Sequence, residues 1–174
     1  GFSPTMMDQK RILIADDHPI FRSGLRALID AEASFAVVGE ATDGEQAVSM
    51  IMDERPDVAI VDYNMPKLNG FELLKRISKS KVPVTAVMLT MHNDEAMFSK
   101  AFELGVRGYV LKDSASLDIV NCLHAVTQGQ VYTSAAVTTY LLKRASRTKA
   151  VDGVESLTPA ERNVLRLIAD YKTS

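Results

Sequence analysis

The chain has 174 residues, 47% of them hydrophobic and 24% charged, with a net charge of −2. That length suits one full domain with a small appendage, and that balance excludes wholesale disorder. The single Cys122 excludes an internal disulfide and a cysteine metal cluster and fits a reducing cytoplasm, while no apolar stretch approaches a membrane span, so no membrane partner is expected. Charge is unevenly placed. Residues 1–142 carry 13 basic and 18 acidic side chains (−5), whereas residues 143–174 carry 7 basic and 4 acidic (+3). An acidic body with a basic end is the asymmetry of a protein whose far end meets nucleic acid.

Arg11–Ala15 opens the ordered chain as a short, apolar, β-branched-rich run, read as a strand buried on both faces. Residues 19–29 place Ile20, Leu25, Leu28 and Ile29 near one helical face, and Phe35–Glu40 is a second strand. A polar cluster, Thr42-Asp43-Gly44-Glu45, starts a helix that includes Ala47, Val48, Ile51 and Met52. Val58–Val61 is a third strand ending at Asp62, followed by the Pro- and Gly-punctuated Met65–Gly70 and a helix over residues 71–77. Val84–Leu89 ends at Thr90, and a helix over residues 93–104 is expected, capped by Asn93 and stopped by Gly105. Gly108–Leu111 leads to Lys112-Asp113-Ser114 and a helix over residues 116–127. Strand and helix alternate five times, which predicts a doubly wound parallel (βα)5 sheet, an α/β fold.

Beyond it, residues 134–144 form a helix with Ala136, Val137, Tyr140 and Leu141 on one face, and the polar stretch 145–155 reads as a linker. Order resumes with Thr158 as N-cap, Pro159 at the first helical position and Glu161 at the capping-box position, with Ala160, Val164, Leu167 and Ile168 on one face. The expected division is 8–130, 131–156 and 157–174.

Asp16-Asp17, Asp62, Thr90 and Lys112 each end an apolar strand, and in open α/β sheets ligand-handling groups collect outside the strands' carboxyl ends. Adjacent carboxylates need a cation, and magnesium suits them because it takes oxygen ligands from one or two carboxylates plus phosphate. Asp62 is the best-placed nucleophile for a phosphoryl group, Lys112 the charge that neutralises its oxygens, and Thr90 a hydroxyl donor. No Gly-rich phosphate loop follows the first strand; Ala15-Asp16-Asp17-His18 stands there instead. His18, His92 and His124 are too scattered for a zinc site, and surface or packing roles are expected for each. Taken singly, each of the polar signals reads as an ordinary turn or helix start; their joint arrangement is what points to a site.

Ile14-Ala15-Asp16-Asp17-His18, Asp62-Tyr63-Asn64-Met65-Pro66 with Gly70, Leu89-Thr90 and Gly108-Tyr109-Val110-Leu111-Lys112-Asp113 together resemble the receiver domain of two-component response regulators, a flavodoxin-like fold. Residues 89–95 and the helix from Leu157 to Leu165 resemble the NarL/FixJ branch, whose output is a LuxR-type helix-turn-helix. The resemblance implies that Asp62 accepts the phosphoryl group from a sensor histidine kinase. It implies magnesium, or manganese, on Asp17, Asp62 and the backbone carbonyl of Asn64, with Asp16 acting through a water. Lys112 would pair with phosphoryl oxygens, and Thr90 and Tyr109 would be the switch pair. Asn64 and His92 stand where the family tunes dephosphorylation.

By the same resemblance the protein is cytoplasmic, regulates transcription, and forms a homodimer on phosphorylation. Only the first helix of the DNA-binding module falls within residues 157–174, so promoter DNA is a partner of a longer protein and not of this chain. The exposed stripe Val164, Leu167 and Ile168 must then fray, dock on the receiver or pair with another chain. A haloacid-dehalogenase-type phosphatase would need a DxD motif and a cap insertion. A flavodoxin-like cofactor binder would need a Ser/Thr/Gly phosphate loop, and a pure interaction module would not need the helix from Thr158. No enzyme activity is expected, since self-dephosphorylation is slow and acts on the protein itself.

Overall fold

The computed structural model describes residues 8–92, 94–151, 159 and 161–166. Six parallel strands form one sheet in the order β2-β1-β3-β4-β5-β6. They are β1 (Lys10–Ala15), β2 (Phe35–Ala41), β3 (Val58–Asp62), β4 (Thr85–Thr90), β5 (Gly108–Leu111) and the two-residue β6 (Tyr132–Thr133). The α-helices that follow the strands are α1 (Pro19–Asp30), α2 (Gly44–Glu54), α3 (Gly70–Ser80), α4 (Glu95–Glu103), α5 (Ala115–Thr127) and α6 (Ala135–Val151).

The period of two along each strand sends alternate apolar residues to opposite faces. Ile12, Ile14, Ile60, Val87, Leu89 and Val110 pack with Leu25 and Ile29 of α1 and Ile119, Cys122 and Leu123 of α5. Leu13, Ala15, Ala59 and Val61 point the other way and meet Ala47 and Ile51 of α2 and Leu73 and Ile77 of α3. A third cluster joins Met88 and Tyr109 to Phe98 and Ala101 of α4, Val137 and Leu141 of α6, and Val164. Covering both faces is what makes the strands read as continuous apolar runs.

The helix ends follow local chemistry. Asp43 caps α2 by accepting from the Gln46 N–H at 2.8 Å, and Asn69 and Glu72 close a reciprocal capping box on α3. The cap of α4 is Asp94, whose carboxylate accepts from the Met97 N–H at 2.9 Å. This corrects the expectation for Asn93, a position outside the described residues: the carboxylate three residues before an available N–H is the one that reaches it. Gly105 ends the α4 region at φ +97°, where a side chain would be strained. A Cβ on Gly44 would lie 2.6 Å from the Leu68 carbonyl oxygen, so glycine there lets α2 close onto the loop after β3.

Three further differences follow from tertiary packing. The stretch 145–151, read as linker, continues α6, which starts from the apolar anchors Val137 and Leu141. The strand β6 extends the sheet by pairing with Gly108 and Tyr109. Asp118 fastens it: Tyr132 OH donates to Oδ1 at 2.6 Å, while Ser114 and Ser134 hydroxyls donate to Oδ2 at 2.8 and 2.9 Å. Ala136 is exposed rather than part of the α6 apolar face, and Ile20 is 89% exposed at the start of α1. Residues 161–166 are helical, and Val164 is buried against the α4–α6 cluster, so this one residue of the stripe docks rather than frays. Thr158, Ala160, Leu167 and Ile168 lie outside the described residues. Among the described residues no helix is long and apolar enough to cross a membrane.

Candidate functional site

The strand order places the reversal of winding between β1 and β3, and the crevice outside their carboxyl ends is the position where such sheets take ligands. Asp16 and Asp17 follow β1, Asp62 ends β3, Thr90 ends β4 and Lys112 follows β5. The structure brings Asp16, Asp17, Asp62 and Lys112 together. Lys112 Nζ lies 2.9 Å from Asp62 Oδ2 and 3.0 Å from Asp16 Oδ2, and its methylene stem brings the ammonium to 4.8 Å from the Phe21 ring centre. Asp62 is 1% exposed and Asp16 fully buried. Asp62 Oδ1 accepts from the Asn64 N–H at 3.1 Å.

Burial holds the Asp62 carboxyl above its ordinary range, and Asp16 pushes the same way against the pull of Lys112 and the Asn64 N–H. For Lys112, desolvation favours the neutral amine, but Asp62 and Asp16 together outweigh it and hold the ammonium above its ordinary value. Two carboxylates thus share one lysine, with the Asp17 carboxylate beside them. Asp16 Oδ2 and Asp17 Oδ1 are buried atoms with no hydrogen-bond partner, the first held only by its ion pair with Lys112. A donor set of this kind, oxygen-rich and short of positive charge, fits a hard divalent cation. One ligand atom each from Asp16, Asp17, His18 and Asp62 lies within 4.8 Å of the others. The crevice opens to a cavity of about 510 Å3 lined in part by His18, Phe21, Asp62, Asn64, Met91 and Lys112.

Thr90 and Tyr109 are held a step away. The buried Thr90 hydroxyl oxygen accepts from the His92 N–H at 3.0 Å, and no hydrogen bond joins Thr90 to Asp62 among the described residues. Tyr109 is fully buried, packs edge-on against Phe98 at 5.6 Å, and donates its hydroxyl to the His92 carbonyl at 2.6 Å. Both side chains thus hold the loop between β4 and α4 through one residue, His92. Burial raises the Tyr109 phenol above its ordinary range, with Asp94 adding to it.

Sequence reasoning missed two residues here. His18, expected to have a surface or packing role, is 61% exposed yet puts Nδ1 3.2 Å from both Asp16 Oδ1 and Asp17 Oδ1. Arg22 donates from Nη1 to the Asp16 carbonyl at 2.6 Å and from Nε to Glu40 at 3.0 Å, pinning the loop that carries the acids. The signal for Arg22 was its position one helical turn after His18; its partner Glu40 could not be paired with it before the fold was known.

A parallel sheet of order 2-1-3-4-5 with acids at the β1 and β3 ends and a lysine after β5 is the architecture of a receiver, and the sequence model of the response regulator receiver domain matches residues 12–124. The chain belongs to this family and is a two-component response regulator of the kind that controls transcription. It is 37% identical over 160 residues to the nitrate/nitrite response regulator protein NarL of Escherichia coli K12, covering 91% of this chain and 74% of that protein. It is 34% identical over 146 residues to the transcriptional regulatory protein DegU of Brevibacillus brevis, covering 84% of this chain and 62% of that one. Among solved structures, the isolated receiver domain of RcsB from Salmonella enterica serovar Typhimurium, determined with the phosphomimetic BeF3−, superposes with a TM-score of 0.71 at 30% identity. That match covers 75% of this chain and 97% of the RcsB domain. The short helix at 161–166 fits the first part of a helix-turn-helix module.

Proposed function

We propose that Asp62 is the phospho-acceptor, and that its buried carboxylate, held 2.9 Å from Lys112 beside two further acids, carries this reading. In the transfer a carboxylate oxygen of Asp62 attacks the phosphorus of a phosphohistidine on a sensor histidine kinase. An oxygen–phosphorus bond forms, the nitrogen–phosphorus bond breaks, and the departing imidazole takes up a proton. Lys112 lies where it can follow the transferring oxygens as an ammonium, without giving up its proton. Magnesium or manganese, held by Asp17, Asp62 and the Asn64 carbonyl with Asp16 through a water, would neutralise the phosphoryl charge. The buried Asp16 and Asp17 oxygens, which have no hydrogen-bond partner among the described residues beyond their ion pairs, support that donor set.

The phosphoryl group then supplies acceptors for the Thr90 O–H, whose oxygen in the described structure accepts from the His92 N–H. With Thr90 drawn toward Asp62, the His92 segment and the Tyr109 hydroxyl bonded to it shift together, and the face formed by α4 and β5 changes shape. That face adjoins α6 and Val164, the route by which the site reaches the output segment. Asn64 and His92 flank the acceptor and set how long the phosphoryl lasts. In this reading residues 8–130 are the receiver, 131–156 connect it, and 157–174 begin a LuxR-type module. Phosphorylation favours a symmetric dimer, which suits two-fold promoter sites. In the same reading promoter DNA is the output partner, and the protein works in the cytoplasm as a switch rather than as an enzyme.

Acetyl phosphate with magnesium, followed by intact mass, tests the acceptor. One added phosphoryl group is expected on this chain and none on Asp62→Asn. An adduct that persists in the variant would move the acceptor elsewhere, and no adduct in either, with no binding of beryllofluoride, would make the crevice a non-phosphorylated module.

A further inference from the structure

His18 is the one nitrogen donor in the acidic cluster, and its surroundings conflict unless a cation joins them. Nδ1 lies 3.2 Å from Asp16 Oδ1, 3.2 Å from Asp17 Oδ1 and 3.7 Å from Asp62 Oδ2. It also lies 3.2 Å from Lys112 Nζ. An ammonium only donates and a carboxylate only accepts. With a proton on Nδ1, the ring suits the carboxylates but faces the ammonium protons. Without it, the ring suits Lys112 but turns its lone pair toward carboxylate oxygens. Neither tautomer satisfies all the contacts.

A metal ion bound by Nδ1 and the carboxylates resolves the conflict, because it takes the place of the ammonium. Donors about 2.1 Å from one ion sit about 3.0 Å apart in an octahedral arrangement and about 3.4 Å apart in a tetrahedral one, a span that includes the 3.2 Å from Nδ1 to the Asp16 and Asp17 oxygens but not the 3.7 Å to Asp62. The Lys112 ammonium, facing Asp16, Asp62 and His18 at once, marks where positive charge is drawn.

We propose that His18 makes this pocket a site for nitrogen-preferring divalent transition ions, bound through its Nδ1 together with Asp16 and Asp17 and in competition with magnesium. The proposal rests on the reading of the carboxylates as a cation site and adds the imidazole as the group that selects the ion. Magnesium is hard and reluctant to shed water, and gains little from an imidazole. Nickel, copper and zinc stand high in the affinity order for nitrogen donors. Such an ion occupies the carboxylates that phosphotransfer needs and pushes Lys112 out, so it holds the receiver unphosphorylated.

The test is titration of the full chain with nickel and, separately, with magnesium by isothermal calorimetry, on the unaltered protein and on His18→Ala. One nickel per chain is expected, displaced by excess magnesium, and the ratio of nickel to magnesium affinity is expected to fall about tenfold or more in His18→Ala. An unchanged ratio would overturn the proposal. So would nickel that magnesium fails to displace, which would place the ion on other histidines, and so would parallel loss of both ions in the variant. A magnesium-dependent acetyl phosphate adduct on the unaltered chain separates the two readings: with the adduct present and nickel binding absent, only the selection by His18 fails.

Discussion

Glu40, near the end of β2, and Asp62, at the end of β3, are both carboxylates bonded to long cationic side chains, yet their proton affinities move in opposite directions. Glu40 faces Arg26 Nη1 at 2.6 Å and Arg22 Nε at 3.0 Å, and those bonds, Arg26 first, hold its carboxyl below the ordinary range. Its side chain keeps 28% exposure, and the desolvation that opposes these bonds does not overcome them. Asp62 has 2% side-chain exposure, one lysine, and Asp16 beside it, and burial wins. The same chemistry stabilises the fold where cations outnumber acids and water reaches them, and opposes it where acids outnumber cations in the interior. The second arrangement is the one that favours added positive charge and a modifiable carboxylate.

The largest effect separating the two regions is expected from Lys112→Met. It leaves Asp16 and Asp62 buried without their cation, and breaking a buried pair costs about 3 kcal/mol or more. Urea unfolding in chelator is expected to show the loss, and saturating magnesium to recover part of it, since a ligand of the native state adds about 2.7 kcal/mol at a hundred times its dissociation constant. A loss that magnesium leaves untouched would mean that Lys112 acts by packing on Phe21.

Next come two charge removals of opposite sign. Glu40→Gln is expected to destabilise by about 1 kcal/mol, discounted for its partial exposure. Asp62→Asn is expected to stabilise by about 1 kcal/mol in chelator at pH 7. Their pH dependences differ in direction. The Glu40 contribution is present above its ordinary value of 4.5 and is lost as pH falls through its lower native value. Native Asp62 instead holds its proton above its ordinary value of 3.8, so its penalty grows as pH rises through the native value and vanishes below 3.8. The gap between Asp62→Asn and the unaltered chain should therefore open on going from pH 3.5 to pH 7. A constant gap would show that the amide acts through packing alone. The smallest effect is expected from Tyr140→Phe, which removes the 2.8 Å bond from α6 to Glu95 on α4. An exposed bond of this kind is worth at most about 0.5 kcal/mol, read as a shift in the urea midpoint.

Much of the site was legible because strand ends announce themselves. Asp16-Asp17, Asp62, Thr90 and Lys112 each close an apolar run, and a parallel sheet delivers such ends to one edge. His18 is exposed, as a surface role requires, but its approach to two neighbouring carboxylates was not legible, since periodicity says nothing of how they turn. Arg22 was invisible for a related reason: its partner Glu40 is 18 residues away.

Alternation of strand and helix, the apolar runs buried on both faces, the polar start of α2 and the stop at Gly105 were settled by the sequence itself, since each depends on residues within a turn or two of one another. Tertiary structure alone decided the rest. The pairing of β6 with β5 needs Asp118 to meet Tyr132 and Ser134. The burial of Val137, Leu141 and Val164 needs the face offered by α4 and β5. The inversion between Glu40 and Asp62 needs a count of charges and water around each carboxylate, and that count exists only once the chain is folded.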